Sequence, residues 1–122
     1  MQVKGTVNSV ELIGWLGNDP VHRYLPSGVA VCDFDVATKR VGGKAEDGAR
    51  SIETEWTTVE VWEQLADTCH DSLHKGSRVR VLGSLRTRSW EDRESGQRRS
   101  KTIVRAEDVL FLDHRPEEGA EE

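Results

Sequence analysis

Cysteine is scarce in this chain: two among 122 residues, Cys32 and Cys69. They lie far apart and in no ligand spacing, which argues against a disulfide scaffold and a zinc motif. Free thiols in a reducing cytoplasm are the expectation, with Cys32 buried in a strand-like run. No apolar stretch approaches the roughly 18 residues that a membrane span needs. The opening MQVKGTVNSVELIG lacks the basic-then-apolar pattern of an export signal, so a cytoplasmic protein is expected. A phosphate-cradling loop is missing too, because GGKAEDG has no strand–loop–helix setting. No Ser/His/Asp or Cys/His order suggests nucleophilic catalysis, and there are no internal repeats. Aromatic rings make up only 6% of the residues, yet four of them are tryptophans.

What is present is alternation. A chain of this length suits one domain and can bury a core unaided. In VNSVELIGWLG, the residues Val10, Leu12, Gly14 and Leu16 share one face and Glu11, Ile13 and Trp15 the other. GNDP and LPSG then read as turns. VAVCDFDVAT places Ala30, Cys32, Phe34 and Val36 on its core side. KRVGGKAEDGARS has no period and reads as a long mobile loop or hairpin tip. IETEWTTVEVW alternates, with Val59 and Val61 inward and Trp56, Thr58, Glu60 and Trp62 outward. EQLADTCHDSLHKG changes to a helical period, with Leu65, Ala66, Cys69 and Leu73 on one face and Gly76 as a stop. SRVRVLGSLRTRSW is a strand with Val79, Val81, Gly83 and Leu85 inward, DRESGQ is a turn, and RRSKTIVRAEDVLFLD returns. Phe34 and Phe111 read as core. Five antiparallel strands with one short helix between the third and fourth is the layout of the OB-fold, a five-stranded Greek-key barrel. Another small barrel or an open α+β sheet would share the pattern. The barrel is expected over residues 1–113, with residues 114–122 a short acidic disordered tail.

The net charge of -5 hides a segregation. Between Lys75 and Arg105 stand ten Lys/Arg and only three Asp/Glu. Polyanion binding follows the local patch rather than the total. Trp90 shares its parity with Arg86 and Arg88 and so points away from the core, as do Trp56 and Trp62. Outward indoles beside cations suit unpaired nucleic acid, since bases stack on them without regard to sequence and the cations take the phosphates. Outward tryptophans can instead plug a subunit interface. That second role is the reading for Trp15, which has no basic neighbours; Tyr24, beside Arg23, is open to either.

Three segments carry a resemblance. NSVELIGWLGNDPVHRYLPSGVAVCDFDVAT, TEWTTVEVWEQLAD and LHKGSRVRVLGSLRTRSWEDRESGQRR resemble the bacterial single-stranded DNA-binding protein family in order and spacing, from Asn8 to about Asp113. The resemblance implies an OB-fold, assembly as a homotetramer, and single-stranded DNA as partner, protected during replication, recombination and repair. It implies base stacking on Trp56, Trp62 and Trp90. Phosphate contacts would fall on Lys75, Arg86 and Arg88, with Arg98, Arg99, Lys39 and Arg40 adding charge nearby. Two departures stand out. Some members carry a further Trp in the loop after AT, where this chain has KRVGGKAEDG. The family's tail usually ends in an acidic, apolar tip that recruits other proteins, whereas PEEGAEE has no Phe or Pro at its tip.

Two rivals remain. One is a metalloenzyme built on Asp67, His70, Asp71 and His74, whose i, i+4 histidines could ligate a metal. A solvated helix face explains those residues better, so no metal, cofactor or catalysis is expected. The other is an OB-fold subunit of a replication or primosome assembly, in which a protein covers the tryptophans.

Overall fold

Residues 3–113 are described by a computed structural model, and they form six strands and one helix. In chain order these are β1 (Val10–Leu16), β2 (Val21–Tyr24), β3 (Ala30–Lys44), β4 (Arg50–Trp62), α1 (Glu63–Ser72), β5 (Arg78–Glu91) and β6 (Arg98–Phe111). The strands neighbour one another in the order β1-β5-β6-β4-β3-β2. The sheet closes because β1 also meets β3, through Trp15↔Ala37 and Leu16↔Val36. Five strands thus make a barrel, and β2 is appended to the free edge of β3. The β4–β6 pair is parallel, with Val59↔Val104 and Glu60↔Arg105, and the other pairs are antiparallel. With the helix between the third and fourth barrel strands, this is the OB-fold.

Period-two alternation fills the barrel. Cys32, Phe34 and Val36 from β3 meet Val59 and Val61 from β4, Val79 and Val81 from β5, and Val104, Ala106 and Val109 from β6. Ala66, Cys69 and Leu73 of α1 complete this cluster. Each large aliphatic or aromatic side chain buried there contributes about 1.5–3 kcal/mol before entropy is counted. Two glycines let the barrel close. A methyl group on Gly14 would strike the Ala37 carbonyl where β1 crosses to β3, and one on Gly83 would strike the Arg105 carbonyl. The second lies at a bulge in β6, where Glu107 is the extra residue between the pairs Leu82↔Asp108 and Gly83↔Ala106.

Three features depart from the sequence reading, and one of its open alternatives is decided. The stretch between GNDP and LPSG is not only turn, for Val21–Tyr24 pairs with Ala30–Asp33 as a short edge strand. Of the two readings of the polar stretch after Thr38, the hairpin tip is the one formed and not the long loop: β3 runs to Lys44, β4 resumes at Arg50, and Lys44 pairs with Arg50. Helix α1 ends at Ser72, with Leu73 N–H bonded to the Cys69 carbonyl at 2.9 Å. Gly76 (φ 93°) therefore serves the next turn, donating to the Leu16 carbonyl at 2.8 Å. Phe34 is core, but Phe111 is 39% exposed. Phe111 is the last residue of β6 and pairs with Val79 near the start of β5, at the rim, where the barrel covers only part of its ring. The expected acidic tail, residues 114–122, lies outside the described residues.

Candidate nucleic-acid interface

Strand parity puts one set of side chains on the outer face of β2, β3, β4, β6 and β5. In β3 and β4 the outward residues include Asp33, Asp35, Ala37 and Lys39, and opposite them Glu60, Thr58, Trp56 and Thr54. In β5 and β6 the rows are Ser84, Arg86, Arg88 and Trp90 against Arg105, Ile103, Lys101 and Arg99. Arg23 joins this face from β2, opposite Val31. The three expected stacking residues therefore share one continuous surface.

Their exposures differ. Trp56 is 60% exposed and Trp90 43%. Trp56 rests on Gly17, where any Cβ would collide with its ring. Gly17 is held in turn by its N–H bond to the Asp35 carbonyl, 2.9 Å. Trp90 lies on the β5–β6 hairpin opposite Arg99. Trp62 departs from the expectation of an open ring. It is half-buried, with its Nε1–H donating to Glu60 Oε1 at 2.7 Å and the Arg105 guanidinium 3.9 Å from its ring centroid. It is also the last residue of β4, and the next residue, Glu63, turns the chain into α1 through a left-handed φ of 60°.

Glu60 is the centre of a charged cluster that the sequence did not announce. Its Oε2 accepts from Arg88 Nη2 at 2.6 Å and from Arg23 Nη2 at 3.2 Å, and its Oε1 accepts from Arg105 Nε at 3.2 Å. Asp33 is shared by two of these arginines, with Arg23 Nε and Arg88 Nη2 both at 3.0 Å. Burial pushes the Glu60 carboxyl up. Bonds from Trp62 and Arg88 and the charges of Arg88 and Arg105 outweigh that and hold it below the ordinary carboxylate range. Burial likewise pulls Arg88 down, and Glu60 and Asp33 raise it above its usual value. Three guanidiniums against two carboxylates leave the cluster with a net positive charge.

The seven expected phosphate contacts sort themselves accordingly. Arg88 is not a free cation: it reaches from β5 past β6 to carboxylates on β4 and β3. That path crosses Ile103, which is 1% exposed although it points outward. Arg86 and Arg98 are exposed and have no ion pair among the described residues, but Arg98, in register with Glu91, points to the side of the hairpin away from Trp90. Lys75 is exposed, and its backbone N–H is tied to Asp19 Oδ1 at 2.8 Å, on the loop that carries Gly17. Lys39 lies on the Trp56 face and donates to Thr54 Oγ1 at 2.6 Å. Arg40 points to the opposite face, paired with Glu53 at 2.8 Å and Glu55 at 2.6 Å. Arg99 pairs with Asp92 at 3.2 Å. Lys101, absent from the expected set, donates to Thr58 Oγ1 at 2.7 Å, and Thr58 donates to Asp35 Oδ1 at 2.8 Å. Exposed Val41 and Ile52 pair on the same side of the β3–β4 hairpin as Trp56, another feature the sequence reading missed.

The other singled-out residues fall elsewhere. Trp15 carries Arg78 at 5.8 Å, so it has a cation beside it after all. Tyr24 is exposed on the side opposite Arg23 and tilts against His22, 4.9 Å away. His70 stacks on His22 at 4.6 Å and Asp67 lies 2.9 Å from His22 Nε2, while His74 Nδ1 lies 2.9 Å from the Lys75 carbonyl. Among the described residues no group of His, Cys, Asp or Glu has metal-binding geometry. No helix there is long and apolar enough to cross a membrane.

A small OB barrel with open indoles and cations along one sheet face defines a class of binding domain that takes flat, anionic ligands. The comparisons with known proteins narrow the class. The model of the single-strand binding protein family matches residues 7–112, and the chain belongs to that family, which is one of binding proteins and not of enzymes. It is 41% identical to single-stranded DNA-binding protein 1 of Chlorobaculum tepidum, over 87% of this chain and 65% of that protein. It is 36% identical to single-stranded DNA-binding protein 1 of Synechocystis, over 88% of this chain and 84% of that one. The chain thus spans slightly less than two thirds of the first relative's length. Among solved structures, the Plasmodium falciparum SSB complex with ssDNA superposes with a TM-score of 0.78 at 31% identity, covering 92% of this chain and all of that one.

Proposed function

We propose that this chain binds single-stranded DNA without regard to sequence and shields it during replication, recombination and repair in the cytoplasm, at the nucleoid. One observation carries the reading: in a member of the single-strand binding family, Trp56 and Trp90 stand exposed on one cation-lined sheet face. Bases stack on Trp56 and Trp90, and at Trp62 on whatever part of its ring Arg105 leaves open. Arg86, Lys75, Lys39 and Arg99 hold the phosphates between them. A duplex hides its base faces, so the stacking selects unpaired strands. No bond is made or broken.

The domain acts as a homo-oligomer, a homotetramer by resemblance to the family. Ile13, Trp15, Leu110 and Leu112 are exposed on the outer face of β1, β5 and β6, away from the stacking face. Most of β1 pairs only with β5, which leaves a free strand edge beside that apolar patch. A second copy of the chain would cover both.

A fluorescence titration with oligo-dT of several lengths, at two salt concentrations, tests the reading. Strong quenching that weakens with salt is expected. Unchanged tryptophan emission at saturating oligo-dT would rule out stacking and favour an assembly subunit whose indoles meet protein.

A further inference from the structure

The sequence gives Arg105 no role beyond one more positive charge on the last strand. Its placement gives it one. Arg105 lies over Trp62 with its Cζ 3.9 Å from the ring centroid, close enough for guanidinium and indole to be in contact as a cation–π pair. Both are pinned by the same oxygen: Glu60 Oε1 accepts from Trp62 Nε1 at 2.7 Å and from Arg105 Nε at 3.2 Å. The parallel register Glu60↔Arg105 sets the three groups side by side. Only Nε is used; Nη1 and Nη2 have no hydrogen-bond partner among the described residues. The Arg105 side chain is 23% exposed, on the same face as Trp56 and Trp90.

On the reading that this face binds single-stranded DNA, we infer that Arg105 and Trp62 act together as one base platform, with the nucleobase lying on the guanidinium and the indole beneath it. A guanidinium is planar and delocalised, and unpaired bases stack on it as they do on aromatic rings. The Glu60 bond fixes the plane in advance, so little side-chain entropy is lost when the base arrives. The unused Nη groups face the strand and can take a base carbonyl or a phosphate oxygen. Lysine at this position would keep the charge and lose the plane.

The test compares the full chain with Arg105→Lys, Arg105→Ala and Trp56→Ala. Each is titrated by fluorescence anisotropy with labelled oligo-dT and with an abasic strand of the same length, which has phosphates and no bases. Arg105→Lys is expected to weaken oligo-dT binding by about 5- to 100-fold and to leave abasic binding within about twofold. Arg105→Ala loses a similar factor on oligo-dT and also binds the abasic strand less well. Three outcomes overturn the inference: Arg105→Lys binding oligo-dT as the parent does, Arg105→Ala binding it more tightly because Trp62 is uncovered, or Arg105→Lys weakening both ligands equally, as a general structural effect would. A parent that prefers oligo-dT to the abasic strand, together with a weakened Trp56→Ala, keeps the stacking function intact in each case. A parent with no preference for bases would overturn both readings.

Discussion

Gly17 sits under the most exposed stacking residue, and Gly17→Ala isolates what that seat is worth. The added methyl would occupy the space of the Trp56 six-membered ring, so the ring must lift or rotate. The backbone need not change, because Gly17 has no positive φ and its N–H bond to the Asp35 carbonyl survives. Alanine also restricts the unfolded chain, which adds about 0.4–1 kcal/mol at a compatible position. That gain offsets the lost contact with a ring already 60% exposed. The melting temperature should therefore stay close to the parent's or rise slightly. Binding should not. An indole off its seat must be ordered again when a base lands on it, at about 0.5–1.5 kcal/mol for an immobilised side chain. Oligo-dT affinity should fall about 2- to 12-fold. Trp56→Ala, which removes the platform itself, should lose about 1–3 kcal/mol. Anisotropy titrations with labelled oligo-dT, paired with thermal melts, give both quantities. A Gly17→Ala protein that melts and binds like the parent, alongside a weakened Trp56→Ala, would refute the idea that the seat preorganises the ring.

The charged cluster makes separate predictions. The folded Glu60 carboxyl lies below its unfolded value, so its contribution is complete above the unfolded pKa, about 4.3, and is lost as pH falls through the folded value. Melts between pH 7 and pH 3 should show this loss, and Glu60→Gln should lack it. That variant should also be less stable at pH 7, by up to about 3–5 kcal/mol, reduced by the partial exposure of its arginine partners. Arg88→Ala should destabilise the fold and barely alter the salt dependence of binding, whereas Arg86→Ala should keep the fold and flatten that dependence by about one unit; the reverse pattern would mean that Arg88 leaves its carboxylates for DNA. Burial, with Asp33 and Asp67 nearby, lifts the Cys32 thiol to about 11, and burial with Cys32 nearby lifts Cys69 to about 12. Both should therefore resist a thiol reagent at pH 8 until denaturant is added, and fast labelling of the native chain would contradict their burial.

The barrel was legible because its strands have one wet and one dry face. Val59 and Val61, or Val79 and Val81, state their side by alternation alone. The β3–β4 hairpin tip was legible only as one of two alternatives, because it stands beyond the core with most of its residues exposed and so has no period to read. Edge strand β2 was hidden for a related reason: four residues between two turn signals are too few to show a pattern. Of the site, parity told which way Trp56, Trp62 and Trp90 point, and it could not tell what lies over them. Arg105 and Glu60 are 45 residues apart in the chain, and only the parallel β4–β6 pairing sets them together over Trp62. The same holds for Arg88, which reads in sequence as one of a row of hairpin cations and folds across the sheet to Asp33 and Glu60.

That rearrangement changes how the charge on this face should be counted. Seven cations marked by sequence would release about five counterions per barrel, for a log–log salt slope near about −5 at roughly −0.7 per phosphate contact with single strands. The structure removes three. Arg40 lies on the other side of the β3–β4 hairpin and Arg98 on the other side of the β5–β6 hairpin. Arg88 is 32% exposed and held by two carboxylates, and freeing it would strand Glu60 and Asp33 beside the incoming phosphates. Arg99 stays in the count, since its pair with Asp92 leaves it 53% exposed and such pairs are worth about 0–1 kcal/mol. Lys75, Arg86, Lys39 and Arg99 remain, and the slope expected per engaged barrel is about −3. Titrations from low to moderate salt, with an oligo-dT short enough to occupy one barrel, measure it directly. A slope near about −5 would mean that DNA strips the arginines from their carboxylates, and the cluster would then be a reserve of cations released on binding and not a fixed frame for Trp62.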